Sequence, residues 1–240
     1  MFVRTGSCFD ELELNRTLCE KHNVDVAGVI INKVIPEKYE QTKDYMSRAM
    51  KQHWDLPLLG CIPDRPYLDY PALSDLQRQL SAEFITGESN RFQHYSVNDI
   101  NLVTTSLTQF LVNVREKPSR TLYLCHVTRD DIILGFLSEF QRRKDLNEPY
   151  EGALIICGRA EKYELCEELR DMIMYHNQDA PILYSPYTSH ETMGKIHSYT
   201  PKLNVNDKGR LNAALDHYEQ YIDYDKILIQ TGNSLVSKRN

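Results

Sequence analysis

The sequence predicts an α/β protein, and two observations carry that prediction. Two apolar runs, 28–34 and 57–62, are separated by a polar segment with helical spacing, which is the pattern of a βαβ unit. A second alternation of apolar strands and amphipathic helices follows from about residue 98. Because unbroken apolar strands indicate burial on both faces, the first sheet is expected to be parallel. We therefore predict a partial parallel-sheet segment followed by a compact α/β domain.

The elements of the first segment follow from apolar spacing and from turn residues. Phe2 and Val3 suggest the end of a strand, with a turn at Gly6. The predicted elements then are a helix over 10–22, a strand over 28–34, a helix over 38–53, a strand over 57–62 and a helix over 74–84. Ser74 or Asp75 is the expected cap of that last helix. The polar stretch 85–95 is taken as a boundary, which gives domains 1–90 and 91–225 and a tail 226–240.

The second segment repeats the alternation of strand and helix. We predict helices over 98–113, 128–143, 162–176, 189–197 and 208–221, and strands over 121–127, 152–157 and 181–185. Two acidic residues in the first turn favour the helix that begins at 128, and Ser189 is the expected cap of the helix that it opens. One helix followed by three rounds of strand and helix is typical of a layered α/β domain.

Composition excludes several functional classes. The 240 residues carry a net charge of −6, whereas a nucleic-acid binder usually has a basic excess. We find no apolar run long enough to span a bilayer and no signal-peptide core, so we expect a cytoplasmic protein without a membrane partner. Six cysteines without a CxxC pair indicate reduced and mostly buried thiols.

Motifs of known chemistry are not found in the sequence. It contains no G-x-x-x-x-G-K-[ST] phosphate loop, no G-x-S-x-G nucleophile elbow and no H-E-x-x-H metal motif. We therefore predict no catalytic residue and no metal ligand, and we expect no catalysis by the chain as written.

A first candidate site lies at two strand ends in the first segment. The predicted site residues are Asn32, Lys33, Gly60, Ile62 and Pro63. The amide of Asn32 can offer a donor and an acceptor to a purine edge, and ligands of open α/β sheets bind outside the carboxyl ends of strands. The alternative is that Asn32 simply ends its strand and bonds the next loop.

A second candidate site joins three strand ends in the second segment. A helix that opens after a strand can receive an anion on its backbone N–H groups. The expected ligand-binding residues are Thr128, Arg129, Asp130, Gly158, Arg159, Tyr187 and Thr188. The alternatives are helix capping by the acidic residues and ordinary loops.

Several of these stretches together resemble a known family. They are 9–15 (FDELELN), 28–34 (GVIINKV), 57–63 (PLLGCIP), 72–76 (ALSDL), Gly87, 128–134 (TRDDIIL), 153–158 (ALIICG), 181–183 (PIL) and 187–188 (YT). In this order they are similar to the N-terminal region of the phosphotransacetylase family, which pairs a dethiobiotin-synthetase-like domain with a DRTGG domain. The resemblance implies a P-loop NTPase-like first segment, although this sequence lacks the phosphate loop. Where relatives often carry Thr-Gly-Gly, it has Cys157, Gly158 and Arg159. A transacetylase domain is not expected to follow, so the resemblance does not imply acetyl transfer by this chain.

Three hypotheses follow from these observations. The first is a non-catalytic regulatory or ligand-binding module that takes a small metabolite. The second is a fragment of a longer enzyme, either a phosphate acetyltransferase or an ATP-dependent ligase-like protein, in which case an adenine nucleotide is the expected cofactor. The third is a dimerisation scaffold, because a truncated sheet edge can pair with another chain. We favour the first and expect a homo-oligomer.

Overall fold

The computed structural model of the chain describes residues 2–4, 8–116, 120–159, 165–176 and 178–230. The predicted turn at Gly6 and the start of the helix predicted over 162–176 lie outside these ranges. In chain order the elements are β1 Phe2–Arg4, α1 Cys8–Lys21, β2 Val29–Val34, α2 Tyr39–Trp54, β3 Leu58–Pro63, α3 Leu73–Gln79, β4 Glu83–Thr86, β5 Asn101–Leu102, α4 Leu107–Glu116, β6 Leu122–His126, α5 Asp130–Asp145, β7 Ala153–Cys157, α6 Glu167–His176, β8 Ile182–Ser185, α7 Ser189–Ser198, α8 Lys208–Glu219 and α9 Tyr224–Gln230. The predicted α/β class is confirmed.

The described residues form two compact units. Unit 1 takes its residues from Met1–Pro66 and Lys208–Asn240, and unit 2 is Tyr67–Asp207. This division differs from the boundaries expected at residues 90 and 225. Residues 83–86 belong to unit 2 because β4 pairs with β8, and helices α8 and α9 belong to unit 1 because residues that they carry pack against β3.

Unit 1 is built on a parallel sheet in the order β1-β2-β3. Side chains of successive strand residues point to opposite faces, and both faces are covered here. Val29, Ile31 and Cys61 pack against α1 and α2 on one face. Ile30, Leu59 and Ile62 pack on the other face against residues of the C-terminal segment (Tyr218, Tyr221, Ile222 and Ile227). The apolar runs seen in the sequence therefore do correspond to strands buried on both faces.

Unit 2 is a layered domain around a five-stranded sheet in the order β4-β8-β7-β6-β5. The pairs of β5 with β6, β6 with β7 and β7 with β8 are parallel, and β4 joins β8 antiparallel at the edge. Tyr123 and Ile156 face a core shared with α4, α5 and α6. Leu124 and Ile155 face a second core shared with α3 and α7. Central β7 is buried along its whole length, as the apolar run 152–157 predicted.

Two predicted helices are shorter than expected because edge strands form. The helix predicted over 74–84 ends at Gln79, and Glu83–Thr86 is strand β4. Ser81, with a left-handed φ of 47°, lies in the connection between them. The helix predicted over 98–113 begins only at Leu107, since Asn101–Leu102 pairs with β6 instead. In both places hydrogen bonding to an open sheet edge outweighs helical spacing in the sequence.

Two helix caps and the start of the C-terminal tail also differ from the prediction. Helix α3 has Ala72 as its N-cap residue, and the carboxylate of Asp75 accepts from Ala72 N at 3.2 Å. Helix α7 is capped by Thr188 and not by Ser189, because the Thr188 hydroxyl accepts from Glu191 N at 3.2 Å. The predicted tail begins inside α9, and residues 231–240 lie outside the described ranges.

Two further predictions concern the state of the cysteines and the presence of membrane-spanning helices. Cys61, Cys125 and Cys157 are buried and unbridged, Cys19 is partly exposed and Cys166 is exposed. In the described part of the chain, no helix combines the length and apolarity needed to cross a bilayer.

Candidate functional site

The second candidate site lies on one edge of the sheet of unit 2. Strands β6, β7 and β8 are parallel neighbours, so their carboxyl ends meet at the same edge. Backbone bonds join their exits, from Val127 N to Cys157 O at 2.8 Å and from Gly158 N to Ser185 O at 3.2 Å. The sheet order thus brings together the three loops whose residues were singled out in the sequence. Ligands of open α/β sheets bind at such edges.

Residues at the loop after β6 form hydrogen bonds with one another and with the backbone of Thr105. Arg129 donates from Nε and Nη2 to the two carboxylate oxygens of Asp131, at 2.8 and 2.9 Å, and from Nη2 to Thr105 O at 2.8 Å. The hydrogen bonds from Arg129 lower the pKa of Asp131. Thr128 N donates to Nδ1 of His126 at 3.3 Å, and Asp130 is exposed at the start of α5. The three hydrogen bonds from Arg129 engage its Nε and Nη2 within the protein.

The loops after β7 and β8 present a more accessible arginine. Arg159, with 58% of its side chain exposed, donates from Nη2 to Glu191 Oε1 at 3.0 Å. Thr188 donates from its N and Oγ1 to Glu191 Oε2, at 2.9 and 2.7 Å. The bonds from Thr188, followed by the one from Arg159, lower the pKa of Glu191 to about 2. Glu191 is thus ionised at neutral pH and anchors both the helix cap and the arginine.

Aromatic and backbone groups complete this edge. The ammonium of Lys195 lies 4.4 Å from the ring centroid of Tyr187, which is a favourable cation–π distance. Tyr184 donates from its hydroxyl to Gly158 O at 3.1 Å and so holds the exit of β7. The loops and helix α7 beside these strand ends therefore combine an exposed guanidinium, an ammonium and an aromatic ring, an arrangement suited to binding a small anion.

Two buried thiols near this edge are unreactive. Burial raises the pKa of Cys157 to about 11 and also raises the pKa of Cys125. Because the thiolate is the nucleophile, both side chains are inert at neutral pH. Among the described residues, no cluster of three or more histidine, cysteine, aspartate or glutamate side chains is placed to hold a metal ion.

The first candidate site lies in unit 1, where the C-terminal segment contacts the strand ends. Asn32 donates from Nδ2 to the hydroxyl of Tyr218 at 3.3 Å, and its Oδ1 accepts from Lys33 N at 2.9 Å. Lys33 has a left-handed φ of 59°. His217 donates from Nε2 to Pro63 O at 2.9 Å. Both ends of the Asn32 amide are thus engaged by the protein.

Gly60 and Ile62 lie beneath the same C-terminal segment. Gly60 pairs with Ile222 in an isolated antiparallel bridge, and Asp223 N donates to Leu59 O at 2.8 Å. A Cβ on Gly60 would come within 2.9 Å of Tyr221 O, and Ile62 is fully buried. The glycine of the Gly-x-Ile-Pro stretch is thus required by the close approach of another backbone.

Sequence reasoning missed the aromatic residues that cover this sheet. Tyr221 packs edge-on against Tyr39 and His217, with ring centroids 5.8 and 5.3 Å apart. Tyr218 is 186 positions from the Asn32 that it contacts. No local spacing signals a partner so distant, so only the fold could identify it.

Comparisons with known proteins point to one group of enzymes. The chain is 25% identical over 213 residues to a phosphate acetyltransferase of Synechocystis, a stretch that is 87% of this chain and 28% of that protein. It is 26% identical over 205 residues to one of Pseudomonas putida, 82% of this chain and 27% of that protein. It is 21% identical over 229 residues to one of Nitratidesulfovibrio vulgaris, 95% of this chain and 30% of that protein.

These similarities are distant and regional. The chain is related to the N-terminal region of phosphate acetyltransferases and spans less than a third of their length. No family model matches it, and no solved structure matches it. The expected resemblance to the N-terminal region of phosphotransacetylases is therefore confirmed as a distant sequence similarity.

Proposed function

We propose that the chain is a non-catalytic regulatory module that binds a small metabolite and is related to the N-terminal region of phosphate acetyltransferases. The observation that carries this proposal is the edge where the carboxyl ends of β6, β7 and β8 meet, with the exposed guanidinium of Arg159 beside them. In this proposal residues 1–90 descend from a dethiobiotin-synthetase-like domain of the P-loop NTPase class, and residues 91–225 from a DRTGG domain. These are boundaries of ancestry, and they differ from the packing boundaries of units 1 and 2.

The proposed ligand is an acetyl- or phosphate-bearing metabolite such as acetyl phosphate or acetyl-CoA. The relatives are named for phosphate and for acetyl transfer, and a planar guanidinium matches the geometry of phosphate oxygens. Arg159 holds an exposed carboxylate partner, and exposed ion pairs contribute only about 0–1 kcal/mol. An incoming anion can therefore displace this pair at little cost. The proposed contacts are Thr128, Arg129, Asp130, Gly158, Arg159, Tyr187 and Thr188.

The test is calorimetric titration of the intact chain with acetyl phosphate. We expect binding by the native chain and about tenfold weaker binding by Arg159→Gln, because one charge-assisted contact is lost. Arg120→Gln is the matched control, since it removes an arginine that also pairs with a partly exposed glutamate. An assay of acetyl-CoA formation from acetyl phosphate and CoA runs in parallel. Turnover by the purified chain, or equal affinity in all three proteins, would refute the proposal.

A second candidate function is part of a longer enzyme, either a phosphate acetyltransferase or an ATP-dependent ligase-like protein. The observation that favours it is the coverage, since the chain matches only 27–30% of each relative. In that case Asn32, Lys33, Gly60, Ile62 and Pro63 would lie near an adenine base, and Asn32 would have to exchange Tyr218 for it. The native mass in the source cells tests this candidate. A mass well above 28.0 kDa would support it, and a mass near 28.0 kDa would refute it.

The cellular setting is part of the proposal. We place the module in the cytoplasm as a homo-oligomer, without nucleic-acid or membrane partners. Sedimentation equilibrium across a range of concentrations tests the assembly. Monomeric mass at every concentration would contradict it.

A further inference from the structure

A polar cavity in unit 2 shares no lining residue with the strand-end edge. Its volume is about 690 Å³, within the range of roughly 300–1,000 Å³ typical of small-molecule sites. Two arginines, three amide side chains, two serines, one phenylalanine and one alanine line it. The polar lining includes Ser74, Gln77, Arg78, Arg91, Asn204 and Asn206. Both charged residues of this lining are thus cationic in a chain of net charge −6.

The two guanidinium groups keep N–H donors for which the described residues provide no acceptor. Arg78 donates from Nη2 to Asp75 at 3.0 Å and to the Tyr199 hydroxyl at 3.3 Å. Arg91 donates from Nη1 to Glu88 at 3.2 Å, and that glutamate is 62% exposed. Because such an exposed pair is weak, an anion in the cavity competes with it readily. A guanidinium carries five N–H donors, so each arginine retains capacity for a second acceptor.

One wall of the cavity contains two polar atoms without a partner. Arg91 Nε and Ser74 Oγ are both shielded from solvent, and neither makes a hydrogen bond within the described part of the chain. A backbone bond from Ser74 N to Arg91 O, at 2.8 Å, joins these residues. Shielded polar atoms are normally satisfied, so this wall is one that the protein alone leaves incomplete. Both residues line the cavity, so an acceptor bound there is the candidate partner for these groups.

The part of the lining formed by Asn204 and Asn206 is held in place by buried contacts. Asn206 N donates to Asn204 Oδ1 at 3.0 Å, which fixes the turn that carries both amides. The next residue, Asp207, is 1% exposed, and its Oδ2 lies 2.6 Å from Nε2 of buried His94. Nδ1 of His94 in turn lies 3.1 Å from the Tyr67 hydroxyl. A wall fixed in advance lowers the ordering cost of binding.

From these observations we propose that the cavity binds a phosphate-bearing small molecule, with Arg78 and Arg91 as the phosphate contacts. Planar guanidinium forks suit phosphate oxygens, and the amides of Gln77 and Asn204 add neutral donors. The ring of Phe92 offers an apolar surface for the organic part of such a molecule. The cavity and the strand-end edge are separate sites, so this binding does not depend on the function proposed above.

The test is calorimetric titration of the intact chain with inorganic pyrophosphate at low and at moderate salt. We expect saturable binding that weakens with salt, and at least about tenfold weaker binding by the double variant Arg78→Gln/Arg91→Gln. Arg120→Gln is the control for loss of a paired arginine in the same unit, and it should bind as the native chain does. Far-UV circular dichroism confirms that each variant is folded.

A second variant covers the case in which the double variant fails to fold. Asn204→Asp places a negative charge in the cavity lining and should weaken pyrophosphate binding while leaving both arginines in place. Saturable binding that falls in either cavity variant and persists in Arg159→Gln supports the proposal. No heat with pyrophosphate, equal affinity in the cavity variants, or loss only in Arg159→Gln would overturn it. Citrate binding as tightly as pyrophosphate would overturn the assignment to phosphate.

Discussion

A buried carboxylate in unit 2 offers a direct test of the electrostatics of the fold. Glu139 on α5 has only 1% of its side chain exposed, yet it contacts three arginines. Its carboxylate accepts from Arg142 Nη2 at 2.7 Å, from Arg143 Nε at 3.0 Å and from Arg115 Nε at 3.3 Å. Arg115 belongs to α4, so this cluster joins two helices. The substitution Glu139→Gln keeps the shape of the side chain and removes its charge.

The size of the effect follows from the pKa of Glu139. Hydrogen bonds from Arg142, then Arg143 and Arg115, lower this pKa from 4.5 to about 2. At about 1.4 kcal/mol per pKa unit, the charged form contributes up to roughly 3 kcal/mol to the free energy of unfolding at neutral pH. Arg115 and Arg142 are 55% and 38% exposed, so solvent screening reduces the expected loss to about 2–3 kcal/mol.

The sign of the pH dependence is fixed by the direction of that pKa change. Because the folded pKa is depressed, the contribution is fully present above the unfolded value of 4.5 and is lost as the pH falls through about 2. The difference in stability between the native chain and Glu139→Gln should therefore shrink below about pH 4.5.

Urea unfolding followed by far-UV circular dichroism measures this difference near pH 7 and near pH 3. Glu151→Gln is the matched control, since Glu151 is 39% exposed and pairs with one arginine, and it should cost about 1 kcal/mol or less. The reasoning fails if Glu139→Gln lies within about 0.5 kcal/mol of the native chain near pH 7. It also fails if the difference is equally large at both pH values.

Three further substitutions test the packing of the two units by thermal or urea unfolding. Gly87→Ala should cost at least about 2 kcal/mol, because Gly87 has a φ of 69° and a Cβ there would lie 2.6 Å from the backbone of Ala180. Gly194→Ala is its control, since Gly194 has open space around it, and should be neutral or slightly stabilising. Equal effects of the two substitutions would contradict the argument. His94→Ala should cost about 2–4 kcal/mol, since it removes the 2.6 Å contact between His94 Nε2 and the buried carboxylate of Asp207. A loss under about 0.5 kcal/mol would show that the pair is dispensable. Gly60→Ala should loosen the C-terminal segment, because a Cβ there would lie 2.9 Å from Tyr221 O, and the expected readout is faster proteolysis near residues 221–230. An unchanged cleavage rate would count against close backbone packing at this glycine.

The predicted elements that the structure confirms are those with strong patterns of their own. Strands β2, β3, β6, β7 and β8 were visible as short apolar runs between polar segments. Helices α1, α2 and α5 were visible from apolar spacing and from charges at their ends. These signals are local, because burial on both faces demands apolar residues all along a strand.

The edge strands β4 and β5 could not be predicted in this way. Each is short and only partly buried, so its composition resembles that of a helix end or a loop. What makes them strands is the open edge of β8 or β6 beside them. The availability of a hydrogen-bonding edge is a property of the folded sheet and of no single segment.

The sequence by itself determined the α/β class, most of the central strands and the three strand-end loops of unit 2. Parallel strands bring their carboxyl ends to one edge, so the order of elements was enough to place Thr128, Gly158 and Thr188 there. Only the tertiary structure decided which side chains those loops bring into contact, such as Arg159 with Glu191, and that Tyr218 contacts Asn32. It also joined Ser74 and Arg91 to the distant turn at Asn204. Such contacts arise from packing between segments far apart in the chain, and no periodicity along the chain encodes them.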